Sequence, residues 1–155
     1  MEITKANKKD INQIINLLYQ VHKVHSDARN DLFIPGEKKY THEEVSKIIE
    51  NENTPIYVYK ENDEVIAYAF IIFKYEVSKS LVNNKIMFID DFCVDEKHKH
   101  NGIGTKLFNH LKQLAKKENC FSINLNVYDF NTAAKNFYLK QEMNELKSYM
   151  ELIVK

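Results

Sequence analysis

Glycine and proline are scarce in this chain, three and two among 155 residues. So little of either excludes a collagenous repeat and a flexible Pro/Gly linker between domains. The two cysteines, Cys93 and Cys120, cannot build a disulfide framework and lack metal-ligand spacing. They suit a reducing compartment, and the expected location is the cytoplasm. Lys+Arg and Asp+Glu both number 22, and Arg29 is the single arginine. A formal charge of zero argues against a strongly basic nucleic-acid binder. Long apolar runs are missing too: Val65 to Phe73 is the longest, nine residues. A bilayer span needs about 20, so no membrane partner is expected. Met1 to Asp10 carries no apolar core of a secretion signal.

What is present is enough for one core. Hydrophobic residues make up 44% of the chain. At this length folding covers roughly 68–70% of the unfolded surface, so we expect a single domain over residues 1–155. Glu2-Ile3-Thr4-Lys5-Ala6 alternates and predicts a first strand. Ile11, Ile14, Ile15, Leu18 and Val21 recur at helical spacing, predicting a helix over about 8–23. Thr41 followed by Glu43 and Glu44 reads as an N-cap with acidic residues in the first turn of a second helix.

Strands are expected at 55–60 and 64–76, joined by a short polar turn, and at 85–94. A helix is expected at about 104–118, a strand at 121–128, a helix capped by Asn131 to about Lys140, and a closing strand at 146–154. The order βααββ followed by βαβαβ is a mixed α/β (α+β) domain.

The most informative stretch runs from Val94 to Leu107. A strand leads into a polar loop, Gly102 and Gly104 follow, and a helix begins. Such a turn aims backbone N–H groups and the positive end of a helix dipole at one point, which suits a phosphate or pyrophosphate. The dinucleotide fingerprint fails because Leu107 stands at its third glycine position, and the P-loop pattern is absent.

Lys99-His100-Asn101-Gly102-Ile103-Gly104 resembles the Arg/Gln-x-x-Gly-x-Gly/Ala loop of the GNAT superfamily of N-acetyltransferases, with Lys99 at the Arg/Gln position. Asn131-Thr132-Ala133-Ala134-Lys135-Asn136-Phe137-Tyr138 is similar to that family's Asn-x-x-Ala-x-x-Phe-Tyr segment. One departure is Glu142, standing where many relatives end the helix with glycine.

The resemblance implies a mostly antiparallel central sheet of six to seven strands flanked by about four helices. It implies acetyl-CoA as co-substrate, no metal, and acetyl transfer to a primary amine by direct attack in a ternary complex. The acceptor would be an amine-bearing small molecule, a protein N-terminus or a lysine. It also allows a homodimer through the last strand. The alternative is a CoA-binding regulatory or interaction domain without turnover.

On the same resemblance, the loop residues Lys99, His100, Asn101, Gly102, Ile103, Gly104 and Thr105 hold the pyrophosphate. Backbone groups of Phe92, Cys93 and Val94 hold the pantetheine arm, and Asn131 caps its helix and contacts cofactor. Tyr138 matches the tyrosine that protonates the CoA sulfur, a fitting task for a phenol of pKa near 10. Asp90 and Asp91 are candidates for the base; being adjacent on a strand, they are expected on opposite faces. Tyr19, His22, His25, Phe33 and Tyr40 are expected near the acceptor.

Overall fold

A computed structural model describes all 155 residues. Strand β1 (Glu2–Lys5) is followed by a 3-10 turn at Lys8–Asp10 and helix α1 (Ile11–Ala28). Asn7 starts this turn with a reciprocal capping box: its side chain accepts from the Lys9 N–H, and Asp10 accepts from the Asn7 N–H. Helix α2 (His42–Glu50) begins at Thr41, whose hydroxyl accepts from the Glu44 N–H at 3.2 Å.

Strands β2 (Ile56–Glu61), β3 (Glu64–Glu76) and β4 (Asn84–Val94) form an antiparallel meander with β1. The chain then crosses through a 3-10 turn and helix α3 (Ile103–Lys117) to β5 (Ser122–Leu125), which pairs parallel with β4. Helix α4 (Thr132–Lys140) follows, its N-cap Asn131 accepting from the Ala134 N–H. Sheet order is β1-β2-β3-β4-β5. No helix is long and apolar enough to cross a membrane.

Each face of the sheet buries its own helices. Ile11, Ile14, Leu17 and Leu18 of α1 and Val45 of α2 pack on Ile56, Val58, Tyr68 and Phe70. On the other face, Leu107, Phe108 and Leu111 of α3 cover Tyr59, Ala67, Met87 and Ile89. Those three α3 side chains are almost fully enclosed. At about 1.5–3 kcal/mol each, they contribute on the order of 5–9 kcal/mol before chain entropy is subtracted. Two polar groups are locked inside this frame: Asp10 accepts an ion pair from Lys60 at 2.6 Å, with both side chains nearly covered.

The sheet has five strands rather than six to seven. The expected strand at 121–128 shortens to Ser122–Leu125, and the one expected at 146–154 does not form. No backbone hydrogen bond involves residues 144–155, although the segment alternates as a strand should. Hydrophobic patterning sets a strand's side-chain alternation, but a strand exists only where a neighbouring edge is within reach.

Candidate active site

Strand β4 positions the site. It pairs with β3 through Val94 but with β5 only as far as Ile89↔Leu125, so its last five residues splay away from β5. The Asp95 N–H donates to the Ile66 carbonyl, which fixes the phase of the ladder. By alternation, the backbone groups of Cys93 face β3, while those of Phe92 and Val94 face the open cleft. The Phe92 N–H is taken by its neighbour, donating to Asp91 Oδ1 at 2.9 Å. The Cys93 thiol is buried against the Leu17 carbonyl, and burial pushes its pKa up.

A register shift between Phe70 and Ile71 leaves Asp90 without a partner on β3: Phe70 faces Asp91 and Ile71 faces Ile89. At this bulge the period of the strand no longer sets which faces the two aspartates take. An extra residue interrupts strict alternation. Asp90 accepts from the Tyr40 hydroxyl, and the Tyr40 ring stacks on Phe70 at 5.5 Å. Lys39 Nζ donates to the Asp90 carbonyl at 2.8 Å and lies 3.3 Å from its carboxylate. Asp90 is thereby tied to the loop between α1 and α2.

Asp91 is held differently. Its carboxyl pKa rises to about 6, chiefly through burial, with Lys39 pulling the other way. The Tyr68 ring is fully enclosed beside it, and the Tyr68 hydroxyl, near that carboxyl but outside full hydrogen-bond geometry, helps to hold the carboxyl pKa down. Tyr138 projects from α4 into the same neighbourhood, packed edge-on against Phe92 and tilted against Phe108. Burial first, and the charge of Asp91 second, raise its phenol above the usual 10. A phenol so placed is protonated at neutral pH. Sequence alone gave no reason to single out Lys39 or Tyr68: one is among many lysines, the other among many apolar strand residues.

At the end of β4, Asp95 caps the next turn, accepting from the Lys97 N–H and from Gln20 of α1. The loop then takes two left-handed residues, His100 at φ 68° and Gly102 at φ 75°. None of the N–H groups from His100 to Thr105 donates to another protein atom. Three of them belong to the first turn of α3, where a helix has no internal acceptors. Six consecutive free donors run into a helix N-terminus, with His100 and Gly102 left-handed among them, an arrangement that suits an anion.

Gly102 meets the positive φ without strain. Gly104 answers a different need: a Cβ there would lie 3.2 Å from the Phe137 ring. Lys99 is exposed at the loop's start, whereas Lys106 points away, towards the Met1 sulfur. Asn131 caps α4 through Oδ1.

The residues expected around an acceptor gather in part. His25 packs with Phe33 at 5.0 Å and Tyr128 at 5.3 Å, and Tyr128 stacks on Phe130 at 5.2 Å. Tyr128 and Phe130, in the loop after β5, were not singled out by sequence; only their aromatic character signals them. His22 bonds the Ile34 carbonyl at 2.7 Å, and burial lowers the His25 pKa. Tyr19 instead meets Lys38 on the outer surface.

Residues 19–143 match the model of the acetyltransferase (GNAT) family. A point mutant of the BH1408 protein from Bacillus halodurans is 30% identical and superposes with a TM-score of 0.95 over 100% of both chains. A protein of Clostridium difficile 630, described as a possible acetyltransferase, is 25% identical at a TM-score of 0.73, over 98% of this chain and 95% of its own. The aminoglycoside N-acetyltransferase AAC(6')-Iy, solved in complex with CoA, shares the fold at 12% identity and a TM-score of 0.72, with 99% of each chain covered. The chain belongs to the acetyltransferase (GNAT) family.

Proposed function

We propose that the protein transfers an acetyl group from acetyl-CoA to a primary amine by direct attack in a ternary complex. The observation that carries this reading is the row of six unbonded N–H groups from His100 to Thr105, set just beyond the end of a splayed β4 and packed through Gly104 against Phe137 of α4. The cradle fits the pyrophosphate of CoA, and the open backbone of Phe92 and Val94 fits its amide-bearing arm as an added strand would. Acetyl-CoA supplies an activated acyl group on a thiol leaving group.

This chain's residues then divide the work. Asp91, with a pKa of about 6, accepts the proton that the acceptor ammonium must lose before its nitrogen can attack. The Val94 N–H, free of β3 and β5, donates to the carbonyl oxygen as negative charge builds there. Tyr138, protonated, gives its proton to the sulfur as the carbon–sulfur bond breaks, and its phenolate takes back the second proton that the new amide nitrogen releases. Asp90 is a positioning residue in this scheme, because Tyr40 and Lys39 already occupy it.

The aromatic cluster of Phe33, Tyr128 and Phe130 favours a cationic amine. A small-molecule amine, a protein N-terminus and a lysine all meet that description. Two unpaired cysteines agree with a cytoplasmic setting.

Calorimetric titration with acetyl-CoA, followed by thiol release across a panel of amines, tests the proposal. We expect binding, and turnover with at least one amine. Tyr138→Phe should lower kcat by on the order of 10²–10⁴, as loss of an acid does, while cofactor affinity stays within a few-fold. No binding at millimolar acetyl-CoA refutes the reading. Binding without turnover on any amine leaves a CoA-binding module in its place.

A further inference from the structure

The loop between α1 and α2, residues 29–41, is tied down at several points. At its start Arg29 donates two hydrogen bonds to Asp31, at 2.7 and 2.8 Å. In its middle the Ile34 carbonyl bonds His22, and Phe33 packs on His25. At its end the Tyr40 ring stacks on Phe70 while its hydroxyl donates to the Asp90 carboxylate.

Lys39 belongs to the last of these anchors. Its ammonium donates to the Asp90 carbonyl at 2.8 Å and lies 3.3 Å from the Asp90 carboxylate. The Asp90 side chain is 17% exposed and that of Lys39 43%. Holding a lysine in one geometry costs rotamer entropy, so its double contact at the β4 bulge calls for a reason.

Asp91, the next residue, supplies one. Most of what faces it is neutral: Tyr68 from β3, Tyr138 from α4, Tyr40 from the loop and Cys93 from β4 itself. Burial raises the pKa of all four, so none is charged at neutral pH. The charged neighbours are Asp90 and Lys39. They act in opposite senses on the Asp91 carboxyl, and the ammonium has the larger effect.

We propose that Lys39 is a positioning residue for the base: the α1–α2 loop sets its ammonium at the β4 bulge, where it keeps Asp91 ionised and able to take the acceptor's proton. Because Lys39 rides on the loop, lifting that loop withdraws the charge, and Asp91 is a base only while the loop is seated. The role of Asp91 as base rests on the acetyl-transfer reading; the placement of the charge does not.

The pH titration of the Asp91 carboxyl carbon, followed by NMR in the protein without ligands, tests the charge apart from turnover. Lys39→Met should move that titration up by about half a pH unit, a modest shift because solvent screens a half-exposed ammonium. Lys39→Arg keeps the charge and should titrate close to the wild type. Lys39→Gln can still donate to the Asp90 carbonyl but carries no charge, so it should shift as Lys39→Met does. With an amine acceptor, kcat/KM of the Met and Gln variants should fall about three-fold on the acid limb, the equivalent of half a unit, and less above it. A carboxyl that titrates at the same pH in the wild type and Lys39→Met overturns the proposal. So does a shift that Lys39→Gln abolishes, or an acid limb that does not follow the carboxyl. The expected shift in a protein that acetylates no amine supports the placement of Lys39 and overturns the acetyl-transfer reading alone.

Discussion

Replacing Asp91 by Asn separates the energetic cost of the site from its chemistry. The carboxyl is raised from the usual 3.8 to about 6, mainly because burial disfavours its charge. In the unfolded chain it ionises near pH 4. Below that pH it is protonated in both states and favours neither. Between about 4 and 6 the unfolded chain releases the proton and the folded one keeps it, so the folded state loses stability as pH rises. Above 6 both are ionised and the penalty is constant. A shift of about two units at 1.36 kcal/mol each gives a penalty of about 3 kcal/mol.

Asparagine keeps the oxygen that accepts the Phe92 N–H and never carries the charge. Denaturant titrations at a series of pH values should therefore show the variant gaining on the wild type between pH 4 and 6. Its advantage should reach about 3 kcal/mol by pH 7. In the same series kcat/KM of the wild type should fall below pH 6 as the base is protonated. The variant should lose that limb and on the order of 10²–10⁴ in rate. A stability difference that does not change between pH 4 and 7 would show that Asp91 is not a strained buried carboxylate. An acid limb that survives in the variant would assign the base elsewhere.

Three further substitutions probe the frame. Lys60→Met leaves Asp10 buried without its ion-pair partner; thermal or urea unfolding should show a loss of about 3–5 kcal/mol, and Asp10→Asn in the same background should recover part of it. Glu142 ends α4 in the left-handed conformation, φ 69°, with the Met143 N–H donating to the Tyr138 carbonyl and the Glu142 N–H to that of Leu139. Glu142→Gly should stabilise the fold by about 1 kcal/mol in the same measurement. Tyr68→Phe removes the enclosed hydroxyl beside Asp91, which helps to keep that carboxyl ionised, and should move the acid limb of kcat/KM to higher pH; a limb that stays in place would show that the hydroxyl does not reach the carboxyl.

Much of this molecule was legible in the sequence because its signals are local. Thr41 and Asn131 cap helices by bonding N–H groups three residues ahead, and both do so. The glycine loop was readable for the same reason: Gly102 takes the positive φ that its position between strand and helix demands. Glu142 follows too, since a helix must end where its amphipathic face does, and the chain here adopts the left-handed turn despite the missing glycine.

What escaped the sequence depends on partners far along the chain. The bulge that turns Asp90 towards Tyr40 arises from the β3–β4 register, a property of two strands and of neither alone. The roles of Lys39 and Tyr68 exist only once the loop before α2 is laid over β4 and β3 is set beside Asp91. The tail carries this logic one step further. Leu146, Met150, Leu152 and Val154 fall at alternate positions, yet no backbone group of this segment pairs with an edge of the sheet. Hydrophobic period specifies which side chains share a face, and hydrogen bonding specifies which edge they must meet.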